Sequence, residues 1–295
     1  MLTNHSWIGV FSRCAVVLTT MSSGCGDHRA AAVAIDASAE GEPLDARVGD
    51  AGASDTADAA ISDALDVPPD ASPDAPVAVA VNVRLADTVT DAPGATGTGV
   101  GDPTHAVNGV RGTGTSSGSL DVFALGYTPQ NDHITLSWSH GQLQNGSGAD
   151  LAVFENPFLS GGGTFMDLIV VEVSIDGVEF RPLAHDYVAT DPAVYANNPA
   201  LWQGFGGRTP VLLNADTNLV DPFDPAVAGG DLFDLDSVVG DDAVARAIRA
   251  NGARFVRLVS APARIDPHTG VDYVHAVISN GADIDGMYGR YVVAE

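Results

Sequence analysis

Ala149-Asp-Leu-Ala-Val-Phe-Glu-Asn-Pro-Phe158 is the stretch on which the fold turns. Its apolar run, Leu151 to Phe154, lies between Asp150 and Glu155. Strand propensity is good, and Pro157 ends the strand because it has no N–H for a ladder. The two acids therefore stand where a buried strand meets a loop. Two later stretches, Asp231-Leu-Phe-Asp234-Leu-Asp236 and Gly281-Ala-Asp283-Ile-Asp285-Gly286, also mix acids with apolar residues. The expectation is that folding brings some of these acids together.

Outward from this stretch, alternation and short apolar runs mark further strands. Residues 79–85, 119–126, 133–138, 167–175, 254–259, 272–278 and 288–293 all read this way. Asp176-Gly177 lies between two such runs and predicts a tight hairpin, since a type I′ turn needs positive φ at both central positions. Residues 241–250 read as the one helix. It has an Asp N-cap, apolar Val244, Ala247 and Ile248 on one face, and Asn251-Gly252 as its stop. Many short strands, Gly-rich turns, long loops and one short helix predict an all-β fold, an antiparallel β-sandwich over residues 79–295.

Residues 1–24 read as an export signal. Arg13 precedes the apolar run Cys14-Ala-Val-Val-Leu-Thr-Thr-Met21, and the small residues Ser22-Ser-Gly24 follow. The run is too short to span a membrane as a mature helix. Small residues directly before Cys25 resemble the lipobox of bacterial lipoproteins, with Ser22 where Leu is usual. That resemblance implies cleavage before Cys25, lipid on its thiol, and anchoring in the cell envelope, at an outer membrane or cell surface. Cleavage there also removes Cys14, leaving one Cys at the mature N-terminus. Residues 26–78 carry twelve acids against two arginines and few large apolar side chains. Such a segment buries too little surface to offset its chain entropy. Residues 25–78 are therefore expected to form a disordered acidic tether, with an r.m.s. reach of roughly 40 Å.

The whole chain has a formal charge of −25, and its 13 basic residues are all arginine. An acidic chain without basic patches does not bind nucleic acid or anionic head groups through charge. It suits a surface that attracts cations, although acidity also serves solubility alone.

The 184–230 segment lacks a strong period and holds Tyr187, Tyr195, Trp202, Phe205 and Phe223 among Asn, Pro and Gly. A long irregular segment inside a domain is a functional surface or a packed Ω-loop. On the first reading, Trp202, Tyr195 and Phe205 stack on sugar faces while Asn197 and Asn198 bond hydroxyls. On the second, the aromatics fold back over an open end of the sandwich.

Three short patterns carry a family resemblance. Ala106-Val-Asn108-Gly109 is similar to the Ala-x-Asp/Asn-Gly turn of galactose-binding-like, discoidin-type domains. Val173-Ser-Ile-Asp176-Gly177-Val-Glu-Phe180 resembles their Val-x-x-Ser-x-Asp-Gly hairpin, and Ala253-Arg-Phe-Val-Arg-Leu258 their penultimate strand. The chain also resembles bacterial surface lipoproteins without assigned activity. The resemblance implies a jelly roll that binds glycans or other surface ligands through loops at one end. It also implies a structural Ca²⁺ near the first turn, at Asn108. The tryptophan that often follows this turn is missing, and the 184–230 segment is far longer than in discoidin domains.

The candidate Ca²⁺ ligands are Asn108, Asp150, Asp231, Asp234, Asp236, Asp283 and Asp285, since Ca²⁺ takes six to eight oxygens. Solvated acids or turn caps are the plainer reading. Zn²⁺ is less suited, because no His pair has ligand spacing. A glycosidase would need two carboxylates, such as Glu155 with Asp231, Asp234 or Asp236. A phosphate loop needs the lysine this chain lacks. The expected function is thus a non-catalytic surface binding module, with glycan as the first expected ligand and another protein as the second.

Overall fold

Two antiparallel sheets form because these apolar runs meet across one core. The computed structural model describes residues 79–295; the expected export signal, Cys25 and the expected tether lie outside them. The larger sheet has five strands in the order Arg181–Pro182, Ile169–Ser174, Phe255–Ser260, His133–Ser137 and Thr88–Asp91. The smaller has four, in the order Arg84–Leu85, Gly286–Gly289, Leu151–Phe154 and Asp231–Phe233.

Register decides which side chains meet. Leu258 lies opposite both Ile134 and Val171, and Val256 opposite both Leu136 and Val173. In the smaller sheet Val153 lies opposite Met287, and Leu151 opposite Phe233. All of these residues join one buried cluster between the sheets. The chain is an antiparallel β-sandwich, as its sequence predicts.

Both sheets are also covered outside. Ala152 and Phe154 point away from the central cluster and pack with Val110, Val211, Leu213, Phe223 and Ala228. Leu168 and Val170 pack with Tyr187, Trp202, Phe205 and Tyr273. Every residue of Leu151–Phe154 and Ile169–Ser174 is therefore buried. Burial on both faces replaces alternation with a continuous apolar run. The 184–230 segment supplies most of this cover, over the outer faces of the sheets rather than an end of the sandwich.

Where the larger sheet's outer face is not covered, it is charged. Arg257 lies opposite both Thr135 and Glu172. Glu172 accepts from Arg264 Nε at 2.7 Å and Nη2 at 3.0 Å. The Arg257 guanidinium sits 3.5 Å from the centre of the Phe180 ring.

Some local readings are corrected. Asp176-Gly177 is not a two-residue hairpin: Val173 pairs with Arg181, so a longer loop separates the strands. Only Gly177 has positive φ there, at 76°. The Asp176 carboxylate accepts from the N–H groups of Val178 and Glu179, both at 2.9 Å, which holds an Asx-type turn instead. The tight hairpin lies at Gly161-Gly162, with φ of 60° and 84°, between Phe158–Ser160 and Gly163–Phe165.

Residues 272–278 form no strand; Ile265 and Asp272 make only an isolated bridge. Tyr273 anchors the segment among the outer aromatics, while Val277 and Ile278 are exposed. The run 79–85 shortens to Arg84–Leu85, and 119–126 to Phe123–Ala124.

The helix spans Ala243–Asn251, with Asp242 accepting from the N–H groups of Val244 and Ala245. Its buried residues are Ala245 and Ile248, so the inner face runs through Ala245 rather than Ala247. A second, one-turn helix, Pro225–Ala228, begins where Asp224 accepts from Ala226 N–H at 3.1 Å.

Candidate functional site

Three carboxylates converge where a strand of each main sheet ends or begins. Glu155 follows Leu151–Phe154, Asp167 stands just before Ile169–Ser174, and Asp283 opens the strand Asp283–Ile284. Glu155 Oε1 accepts from the Asp283 N–H at 2.9 Å. Asn156 ties Asp283 to the main chain: its Nδ2 donates to Ser119 O at 2.9 Å and approaches Asp283 Oδ2 at 3.4 Å.

Glu155 is only 3% exposed, and its Oε2 has no hydrogen-bond partner; neither has the buried Asp167 Oδ1. Among the described residues no arginine or histidine pairs with any of the three. Burial raises the Glu155 carboxyl well above its usual range, and the charges of Asp167 and Asp283 raise it further. Burial and then Asp283 push Asp167 up to about 7, against a lowering hydrogen bond with Ser279. Asp283 is raised by burial and lowered by Asn156.

The other predicted acids go elsewhere. Asp150 is buried and accepts from Gly146 N–H at 2.8 Å and Leu235 N–H at 2.7 Å. Burial still raises it to about 6. Asp234 caps a short turn by accepting from Asp236 N–H at 2.8 Å, and Asp236 accepts from Asn145 Nδ2 at 2.7 Å. Asp231 pairs with Arg208 at 3.1 Å and accepts from the Thr209 hydroxyl at 3.0 Å. Asp285 accepts from Arg111 N–H at 2.8 Å. The seven predicted ligands thus do not form one site; only Asp283 joins the converging acids.

The turn at Asn108 does not fit an ion. Arg111 Nη1 donates to Asn108 Oδ1 at 2.7 Å and to Asp121 at 2.9 Å, and its Nε donates to Asp216 at 2.9 Å. A fixed guanidinium fills the cationic role that the resemblance gives to Ca²⁺.

The aromatic residues also divide. Trp202 and Phe205 are completely buried, so neither presents a ring to an external ligand. Trp202 stacks on Tyr187 with ring centres 3.6 Å apart, meets Phe205 edge-on, and donates its indole N–H to Ala196 O at 2.9 Å. Their size and rigidity serve the outer core as well as they would a binding face.

Asn197 and Asn198 are exposed. With Pro199 they form one wall of a groove of about 720 Å³, whose other wall is residues 159–164. The Gly161-Gly162 turn shapes that wall, and Thr164 N–H donates to Asn197 O at 2.9 Å, joining the two. A smaller hollow beside it is lined by Ser160, Thr164, Phe165, Asn197 and half-buried Tyr195. Tyr195 is oriented by donating its hydroxyl to Met166 O at 3.0 Å. No lining residue of either hollow is ionisable except Tyr195, whose hydroxyl burial raises to about 12.

Sequence reading missed Asp167 and the glycine turn. Asp167 had a visible signal: like Glu155, it borders an apolar strand. The groove had none, because its two walls lie far apart in the chain. Comparison with known protein families, curated proteins and solved structures finds no match.

Proposed function

We propose that this chain is a lipid-anchored, non-catalytic module of the cell surface that binds neutral glycan in the groove between residues 159–164 and Asn197-Asn198-Pro199. The reading rests on one observation above others. In a chain of −25 net charge, the main groove is lined only by glycine, proline, leucine, hydroxyl and amide residues. Such a surface suits a polyhydroxyl ligand: amides and hydroxyls satisfy both donors and acceptors, and Leu159 and Pro199 offer apolar contact. A galactose-binding-like jelly roll, lipid on Cys25 and the acidic tether belong to the same proposal, since they carry a binding face away from a membrane. Glu155 supports no glycosidase role in this arrangement, because it is buried and outside the groove.

The test is a glycan array followed by titration of any hit, with Asn197→Ala beside the unmodified chain. Loss of one good hydrogen bond predicts about tenfold weaker binding. Binding that Asn197→Ala leaves unchanged would remove the groove from the account. No glycan hit, together with a surface protein captured through the same groove, would favour the protein-binding alternative.

A further inference from the structure

We propose that Glu155, Asp167 and Asp283 together seat a divalent cation of the calcium class beside Gly207. The ordinary ways of satisfying a buried carboxylate are visible elsewhere in this chain. Asp150 has two N–H donors, and Asp231 has Arg208 and the Thr209 hydroxyl. The Glu155 group has three acids, no cationic side chain among the described residues, and two buried oxygens without partners, Glu155 Oε2 and Asp167 Oδ1. Buried charges of one sign repel, and a cation removes both the repulsion and the orphaned acceptors.

Gly207 supplies a second, independent observation. A Cβ there would lie 3.2 Å from Glu155 Oε2 and 2.4 Å from Asp167 O. The glycine therefore packs closely against a carboxylate oxygen and a main-chain oxygen, with no side chain placed between them. Three carboxylates and one carbonyl are hard oxygen donors, the set that calcium takes in sixes to eights and that zinc does not prefer. Among the described residues no three His, Cys, Asp or Glu side chains are already arranged to hold a metal ion, so the site requires these side chains to move. Asp167 and Asp283 are half-buried, so they are the side chains that turn inward when the ion enters.

The experiment uses the full chain stripped with EDTA, then titrated with Ca²⁺ alone, with metal content measured on the same samples. At a hundredfold excess over Kd, Ca²⁺ is expected to raise Tm by about 5–10 °C. Glu155→Gln and Asp167→Asn should lose that response and, in EDTA, melt no lower than the unmodified chain, because the repulsion is gone. Asp234→Asn, outside the group, should keep the full response. An unchanged Tm with no metal in the sample would overturn the proposal and leave a shared proton as the explanation. A Ca²⁺ shift that Glu155→Gln and Asp167→Asn both retain would overturn it equally. Should either variant fail to fold, heat of Ca²⁺ binding to the stripped unmodified chain, present or absent, decides the matter.

Discussion

Trp202→Ala is expected to damage stability far more than binding. The side chain is completely buried, stacks on Tyr187 at 3.6 Å and meets Phe205 at 5.3 Å between ring centres. Truncating a buried aromatic to alanine costs about 3–5 kcal/mol, and each well-placed aromatic pair contributes about 0.5–1.5 kcal/mol beyond burial. The Ala196 carbonyl also loses its indole donor. The upper part of that range, about 4–5 kcal/mol, follows. For a domain of roughly 200 residues this lowers Tm by about 8–20 °C. Trp202→Phe keeps most of the stack and loses the N–H, so about 1–2 kcal/mol is expected. Thermal and urea melts, with near-UV circular dichroism as a probe of the aromatic stack, read the effect. A Trp202→Ala chain that melts within about 2 °C of the unmodified one, yet no longer binds ligand, would refute the placement of Trp202 in the outer core.

Three further outcomes follow from the same structure. Asp150, Asp167 and Asp285 are raised by burial to about 6, 7 and 7, so the folded chain holds protons that the unfolded chain has released. Their stabilisation is full below about pH 4 and is lost as pH rises through 6–7. The carboxylates with lowered pKa, such as Asp242 held by Arg181, act below that window. In chelator, Tm should therefore fall between pH 5 and pH 8, and a rise over that interval would contradict the burial of these acids. Gly207→Ala should cost more than about 1 kcal/mol by thermal melt, because φ is +80° and the new Cβ meets Asp167 O. Gly148→Ala, at φ +75° with open space around it, should cost less. Metabolic labelling with a palmitate analogue should mark the full chain, and label that survives Cys25→Ala would sink the lipid anchor.

The strands 133–137, 151–154, 169–174 and 255–260 were legible because buried runs of Val, Ile, Leu and Phe leave little choice of structure. The helix was legible through its Asp cap and Gly stop. Residues 272–278 show the limit: alternation marks a segment able to pair but not whether it meets a partner strand. Trp202 shows another, since an aromatic among Asn and Pro reads alike as a ligand platform or as cover for a sheet. Glu155 and Asp283 stood out as acids beside apolar residues. The meeting of Glu155 with Asp283, and the pairing of Asp150 with Leu235 and of Asp285 with Arg111, span 128, 85 and 174 positions. Local spacing carries none of that.

Hydrogen–deuterium exchange of the full chain with and without a bound oligosaccharide tests the central claim most directly. The account predicts new protection confined to residues 159–164 and 195–199, with the Trp202 and Phe205 region already slow in the free chain and unchanged. Protection at other loops, with exchange in the groove unaltered, would contradict it.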